Sequence, residues 1–185
     1  MAGLVDIANG TLQRIGEPPI GALEDGNERA RALARALPVV RDRVLETNLF
    51  AFARWQASLP ALAEKPLQRF ERQFRLPLDF ISLIAVHAYG RTERHETLLL
   101  ADAPAPLSIT YVRRVEAPEL WSPLFAELVE LAAALRVAPA IKGAAYDTRD
   151  LLAEYERRLG QAKGAGARQE QPIELAPTDW ELVRL

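Results

Sequence analysis

Cysteine is missing from all 185 residues. Its absence excludes disulfide staples, thiolate metal ligands and a cysteine nucleophile. Histidine is scarce, with only His87 and His95 present. A zinc site needs three or four converging ligands, so no metal is expected. No uncharged apolar stretch approaches the ~20 residues that span a bilayer. The first ten residues lack the basic region and apolar run of a signal peptide, so a chain made and folded in a cytosol is expected. A dominant charge is lacking as well. The 23 Lys plus Arg and 25 Asp plus Glu leave a formal net charge of -2, which argues against a basic field that grips nucleic acid non-specifically. There is no Gly-rich phosphate cradle, nucleophile-elbow serine or helix-borne His-Glu pair. Catalytic and cofactor sites are therefore not expected.

What is present is ordinary globular material. Hydrophobic residues make up 49% and charged residues 26%, which argues for a folded chain of one or two units. Leu4, Ala8, Thr11 or Leu12, and Ile15 fall on one helical face, and Gly16 with Pro18 and Pro19 ends that helix. The stretch from Arg41 to Trp55 organises the rest. Leu33, Leu37, Val40 and Val44 recur at helical spacing, and Leu45, Leu49 and Phe52 continue the rhythm, flanked by Phe50 and Trp55. The pattern predicts a helix from Glu28 to Gln56, capped by Asp25 or Asn27, with a kink or break near Leu37 because Pro38 lacks a backbone donor.

From Leu59 the character changes. Pro60, Pro66, Pro77, Pro104 and Pro106 exclude long helices, and Phe80 to Ala88, Glu93 to Leu100 and Leu107 to Val115 have strand length and composition. Hairpin-like connections are predicted at Tyr89 to Thr92 and at Asp102 to Pro106. Helix returns at Ser122-Pro123, with Phe125, Leu128, Ala132 and Leu135 buried and Pro139 and Gly143 closing or bending it. A last helix, capped by Asp147, turns Leu151, Leu152, Tyr155, Leu159 and Ala162 inward. The fold expected is α+β and mainly α. A four-helix bundle is formed by residues 1–58 and 119–163, with a small antiparallel β-sheet insertion at 59–118 and an extended C-terminal arm at 164–185.

The arm loses helical periodicity yet carries Ile173, Leu175, Trp180, Leu182, Val183 and Leu185, an apolar set that a purely disordered end would not need. These six are the candidate interface residues, and extended chain at ~3.3 Å per residue gives the arm a reach of ~70 Å. Its anchor is its own domain or another chain. Asp79, beside Pro77 at a strand entrance, is a candidate base or a turn-fixing acceptor. Arg113 and Arg114 are candidates for phosphate contact or for an ion-paired edge.

Several phrases, taken in order, resemble the bacteriophage head-tail adaptors of the tail tubular protein A family. They are Leu12-Gln-Arg-Ile15-Gly16-Glu17-Pro18, Arg41-Asp42-Arg43-Val44-Leu45 leading to Phe50-Ala51-Phe52-Ala53, and Phe74-Arg75-Leu76-Pro77-Leu78-Asp79. Ile109-Thr110-Tyr111-Val112 and Trp121-Ser122-Pro123-Leu124-Phe125, followed by an alanine-rich helix, complete them. The resemblance spans about Val5 to Ala165. It implies a non-catalytic structural protein of the virion, placed at the head-tail junction after assembly in the host cytoplasm. The expected partners are copies of itself in a ring, typically a dodecamer, the portal protein, and a tail nozzle or tail tube protein. Double-stranded DNA would pass through the lumen without specific binding, and no membrane is involved. The other reading of the residues is a bacterial helical protein-protein interaction domain without catalytic activity.

Overall fold

The computed structural model describes residues 3–47, 50–66 and 69–169. Four α-helices and six strands follow in the order α1 (Leu4–Arg14), α2 (Glu28–Thr47), β1 (Arg54–Leu59), β2 (Arg72–Arg75), β3 (Phe80–Val86), β4 (Thr92–His95), β5 (Leu98–Ala101), β6 (Leu107–Arg113), α3 (Pro123–Lys142) and α4 (Arg149–Gln169). The strands form two three-stranded antiparallel sheets, β1-β6-β3 and β2-β5-β4. This corrects the expectation of a four-helix bundle carrying one small sheet. The molecule is a mixed α+β fold with one core shared by helices and sheet and a second between the two sheets.

The sheet β1-β6-β3 is the middle layer. Successive side chains of a strand point to opposite faces. Val112 accordingly joins the helical core with Val44, Leu45, Phe125 and Leu128, while Ile109 and Tyr111 join a second core with Phe74, Leu99 and Ala101 of the other sheet. In β3 the alternation is broken by register shifts between Phe80 and Ser82 and between Leu83 and Ala85. Each extra residue moves the next side chain to the other face. Phe80, Leu83 and Val86 therefore face the second core, while Ile81 and Ile84 face the helices.

The stretch from Arg41 to Trp55 is not one helix. α2 runs through Pro38 as a single element and ends at Thr47, a short 3-10 turn covers Ala51–Ala53, and the chain enters β1 at Arg54. Asn48 and Leu49 lie outside the described residues. The reason lies across the sheet: Arg54 to Leu59 pair in unbroken register with Val112 to Leu107. Arg-Trp-Gln-Ala-Ser-Leu alternates polar and apolar side chains, so the strand period overrides the helical one. Phe50 and Phe52 instead close an aromatic cluster on Phe125, with ring centroids 4.9 and 5.1 Å away, and Trp121 meets Phe125 edge-on at 5.0 Å.

The expected hairpins also move. Tyr89 to Arg91 and Asp102 to Pro106 carry the chain between the two sheets, because β3 and β6 belong to one and β4 and β5 to the other. Glu93 to Leu100 is not one strand. It folds back on itself at Glu96, whose φ of 50° opens a two-residue turn between the paired His95 and Leu98. The helical ends follow the local signals more closely. The Asn27 side chain accepts from Ala30 N–H at 2.8 Å, and Ser122 Oγ accepts from Phe125 N–H at 3.3 Å. α4 continues to Gln169, six residues past the point where its apolar periodicity ends.

Candidate functional site

The expected interface residues Ile173, Leu175, Trp180, Leu182, Val183 and Leu185 lie outside the described residues. Of those singled out as chemical candidates, the two histidines lie apart, whereas Asp79, Arg113 and Arg114 meet where β3 begins and β6 ends. His87 is exposed beyond β3, its Nε2 2.6 Å from Thr110 Oγ1, whereas His95 sits on the other sheet with Nε2 2.9 Å from Glu93 Oε1. Among the described residues no three His, Asp or Glu side chains converge to hold a metal ion, and no helix is long and apolar enough to cross a membrane. Asp79 accepts from the Tyr111 hydroxyl at 3.0 Å, while its backbone carbonyl accepts from Arg114 N–H. Burial, followed by the adjoining Asp79 carboxylate, pushes the Tyr111 phenol up to about 12. That geometry suits a structural clamp at the mouth of the sheet, since a phenol held protonated is a steady donor.

Arg114 pairs through Nε with Asp42 Oδ2 at 2.9 Å, and the same carboxylate receives Arg41 Nε at 2.8 Å. This ties α2 to the end of β6. Arg113 lies 4.2 Å over the ring of Trp55, an arrangement that holds the tryptophan flat against the sheet while leaving it half exposed. Neither arginine is presented as part of a phosphate pocket.

Sequence reading missed a second charge cluster. Arg14 of α1 reaches Glu130 of α3 at 3.1 Å and Glu154 of α4 at 3.4 Å, and Arg158 of α4 reaches Glu127 at 2.8 Å. Burial raises the Glu130 carboxyl above its ordinary range, with Arg14 opposing the rise. Gly10 makes room for it: a Cβ at that position would come within 2.5 Å of Glu130 Oε1. No spacing rule links residues 14, 127, 130, 154 and 158, because helix packing alone brings them together.

The features that suit contact with another molecule lie on the middle sheet and its turns. β1 and β3 are the two edges of that sheet, and among the described residues each pairs with β6 alone. The edges are unlike. β1 is regular, and Arg54, Trp55, Gln56 and Ser58 on it are exposed; β3 is bulged, apolar and half-buried along its length. At either end of β3 stands a fully presented side chain, Leu78 before it at 98% exposure and Tyr89 after it at 100%.

The turn that carries Tyr89 is braced. Gly90 has φ 130°, and a Cβ there would come within 2.2 Å of the Asp102 carbonyl oxygen. Arg91 pairs with Asp102 at 2.8 Å, Asp102 N–H donates to Arg91 O, and Asp102 Oδ1 accepts from Glu71 N–H. The Asp102 carboxyl is held below its usual range, first by Arg91 and then by that backbone donor. An exposed aromatic on a rigid mount loses little freedom on contact, which is how interface anchors are built. Leu78 and Tyr89 are legible in the sequence only as residues next to a proline and a glycine; their complete exposure is not. Compared with protein-family models and with curated proteins, the sequence finds no match in either.

Proposed function

We propose that this protein is a non-catalytic head-tail adaptor of a tailed bacteriophage, assembling as a ring between the portal and the tail. The observation that carries the reading is the middle sheet with its two unlike edges, regular and polar at β1, bulged and apolar at β3. A contact from one edge to the opposite edge of the next copy is heterologous, the kind of contact that builds a ring when the rotation between copies closes. Leu78 and Tyr89 add apolar anchors at both ends of β3. The ordered phrases from Leu12 to Phe125 that resemble tail tubular protein A support the same reading and supply the partners: copies of itself, the portal, and a tail nozzle or tail tube protein. DNA passes through the lumen of the ring, which requires no base-reading groove and no reactive group.

The test is electron microscopy with light scattering, on the protein alone and mixed with portal rings of short-tailed phages. Closed particles with a central opening, stacked on the portal, are expected. Protein that stays as single subunits at all concentrations and ignores the portal overturns the proposal.

A further inference from the structure

The exposed face of α2 carries Arg31, Arg35, Val39 and Arg43 at intervals of four residues. At 1.5 Å per residue the line is about 18 Å long. Arg31 donates only to the Gly26 carbonyl, and Arg35 and Arg43 have no ion pair among the described residues. Val39 in their midst is 49% exposed. Neighbouring arginines behave differently: Arg14, Arg29, Arg41 and Arg114 are all engaged by carboxylates. Three guanidiniums without carboxylates around an exposed valine are complementary to a segment that is acidic and apolar in alternation.

The chain contains such a segment. Residues 170–185 carry Glu170, Glu174, Asp179 and Glu181 against the single Arg184, with Ile173-Glu174-Leu175 and Trp180-Glu181-Leu182 interleaving the two characters. We infer that residues 170–185 seat on the arginine line of α2 in their own chain, the four acids meeting Arg31, Arg35 and Arg43 and the apolar side chains covering Val39.

The packing of the helices permits it. Arg158 meets Glu127 while Glu154 meets, through Arg14, Glu130, so α4 runs antiparallel to α3. Glu17 joins Arg29 at the start of α2 to Lys142 at the end of α3, so α2 is antiparallel to α3 as well. α4 therefore runs in the direction of α2 and ends at its Thr47 end, and the charge of Arg43 is felt by Tyr155 of α4. Arg31 lies about 24 Å back from Thr47 along α2. Sixteen extended residues cover about 53 Å, enough to turn and run the length of the line. Tethering places the segment at an effective concentration on the order of millimolar, so screened surface pairs suffice to hold it.

Because the chain has no cysteine, the full-length protein carrying only Val39→Cys and Leu175→Cys takes two spin labels at known sites. Electron-electron distance measurement at low salt is expected to give a short, narrow distribution that persists when labelled protein is diluted tenfold into unlabelled protein. Raising salt to about 0.5 M is expected to broaden and lengthen it, since screening then acts within a few ångströms. Combined Arg31→Glu, Arg35→Glu and Arg43→Glu is expected to abolish the short distance with circular dichroism unchanged. Adding Glu174→Lys, Asp179→Lys and Glu181→Lys to that variant is expected to restore it. A distribution indifferent to salt and charge reversal overturns the inference, as does a short distance that vanishes on dilution and so belongs to two chains. Ring formation and portal binding are separate measurements, so the adaptor reading can fail while the short distance stands, and the reverse.

Discussion

The helical half and the β half of this molecule solve the same packing problem with different means. In the helical half a long core runs from Ile7 to Ala162 and centres on Phe125, around which Phe50, Phe52 and Trp121 gather. In the β half nine buried side chains, with Phe74, Leu107 and Ile109 the large ones fully enclosed, fill the space between two small sheets. Polar fastening differs too. The helices are laced by Arg14, Arg158 and three glutamates drawn from α3 and α4, whereas the sheets rely on a backbone-braced turn at Gly90 and Asp102. Helices can be held by side chains reaching across; strands must first satisfy their own backbone.

The largest effect expected is from Phe125→Ala, which empties the aromatic cluster at a cost of about 3–5 kcal/mol, read as a loss in the urea midpoint. Phe74→Ala is expected to cost about 3–4 kcal/mol by the same cavity argument. The middle sheet belongs to both cores, so circular dichroism and tryptophan fluorescence should still report one transition. Two separated transitions would break the comparison by showing that the halves melt independently. Gly90→Ala forces a positive φ and a clash with a backbone carbonyl, a loss of about 1–3 kcal/mol from the backbone alone, visible in thermal melts. Gly10→Ala meets only the movable end of Glu130. The helix-propensity gain of about 1 kcal/mol offsets the disturbed ion pair, and the net change is expected to be smaller than that of Gly90→Ala.

Two carboxyls sharpen the comparison through the sign of their pH dependence. The folded value of Glu130 is raised above the ordinary 4.5 by burial. Its contribution is fully present below that ordinary value and is lost as pH rises through the folded value. Glu130→Gln should therefore gain on the parent between pH 4 and pH 7 in paired denaturation curves. The folded value of Asp102 is lowered from 3.8, first by Arg91. Its contribution is present above 3.8 and is lost as pH falls through the depressed value, so the parent's advantage over Asp102→Asn should shrink in acid. The smallest effect on stability is expected from Tyr89→Ala, within about 0.5 kcal/mol because the side chain is fully exposed among the described residues. The same variant should reduce ring yield under the microscope.

Legibility in the sequence follows the range of the forces involved. The start of α3 at Ser122-Pro123, the end of α1 near Gly16 and the cap at Asn27 are settled within a few residues and are legible there. β1 reads as helix because Leu45, Leu49 and Phe52 extend a helical rhythm into residues whose alternation is equally good, and only β6 decides between them. β3 hides its two faces because two bulges change its period from two to three. Of the candidate surface, the proline and glycine turns are visible in the sequence, while the exposure of Leu78 and Tyr89 and the bracing by Asp102 are not.

By itself the sequence determined where α2 and α3 begin and where α1 ends, and which chemistries are excluded by want of cysteine. Those are matters of composition and of neighbours along the chain. The tertiary structure alone decided that Arg54 to Leu59 is a strand, that the described strands form two sheets, that Arg14 faces Glu130, and that three arginines of α2 stand without carboxylates among the described residues. Each of these depends on residues far apart in sequence, whose pairing is settled only when the cores close.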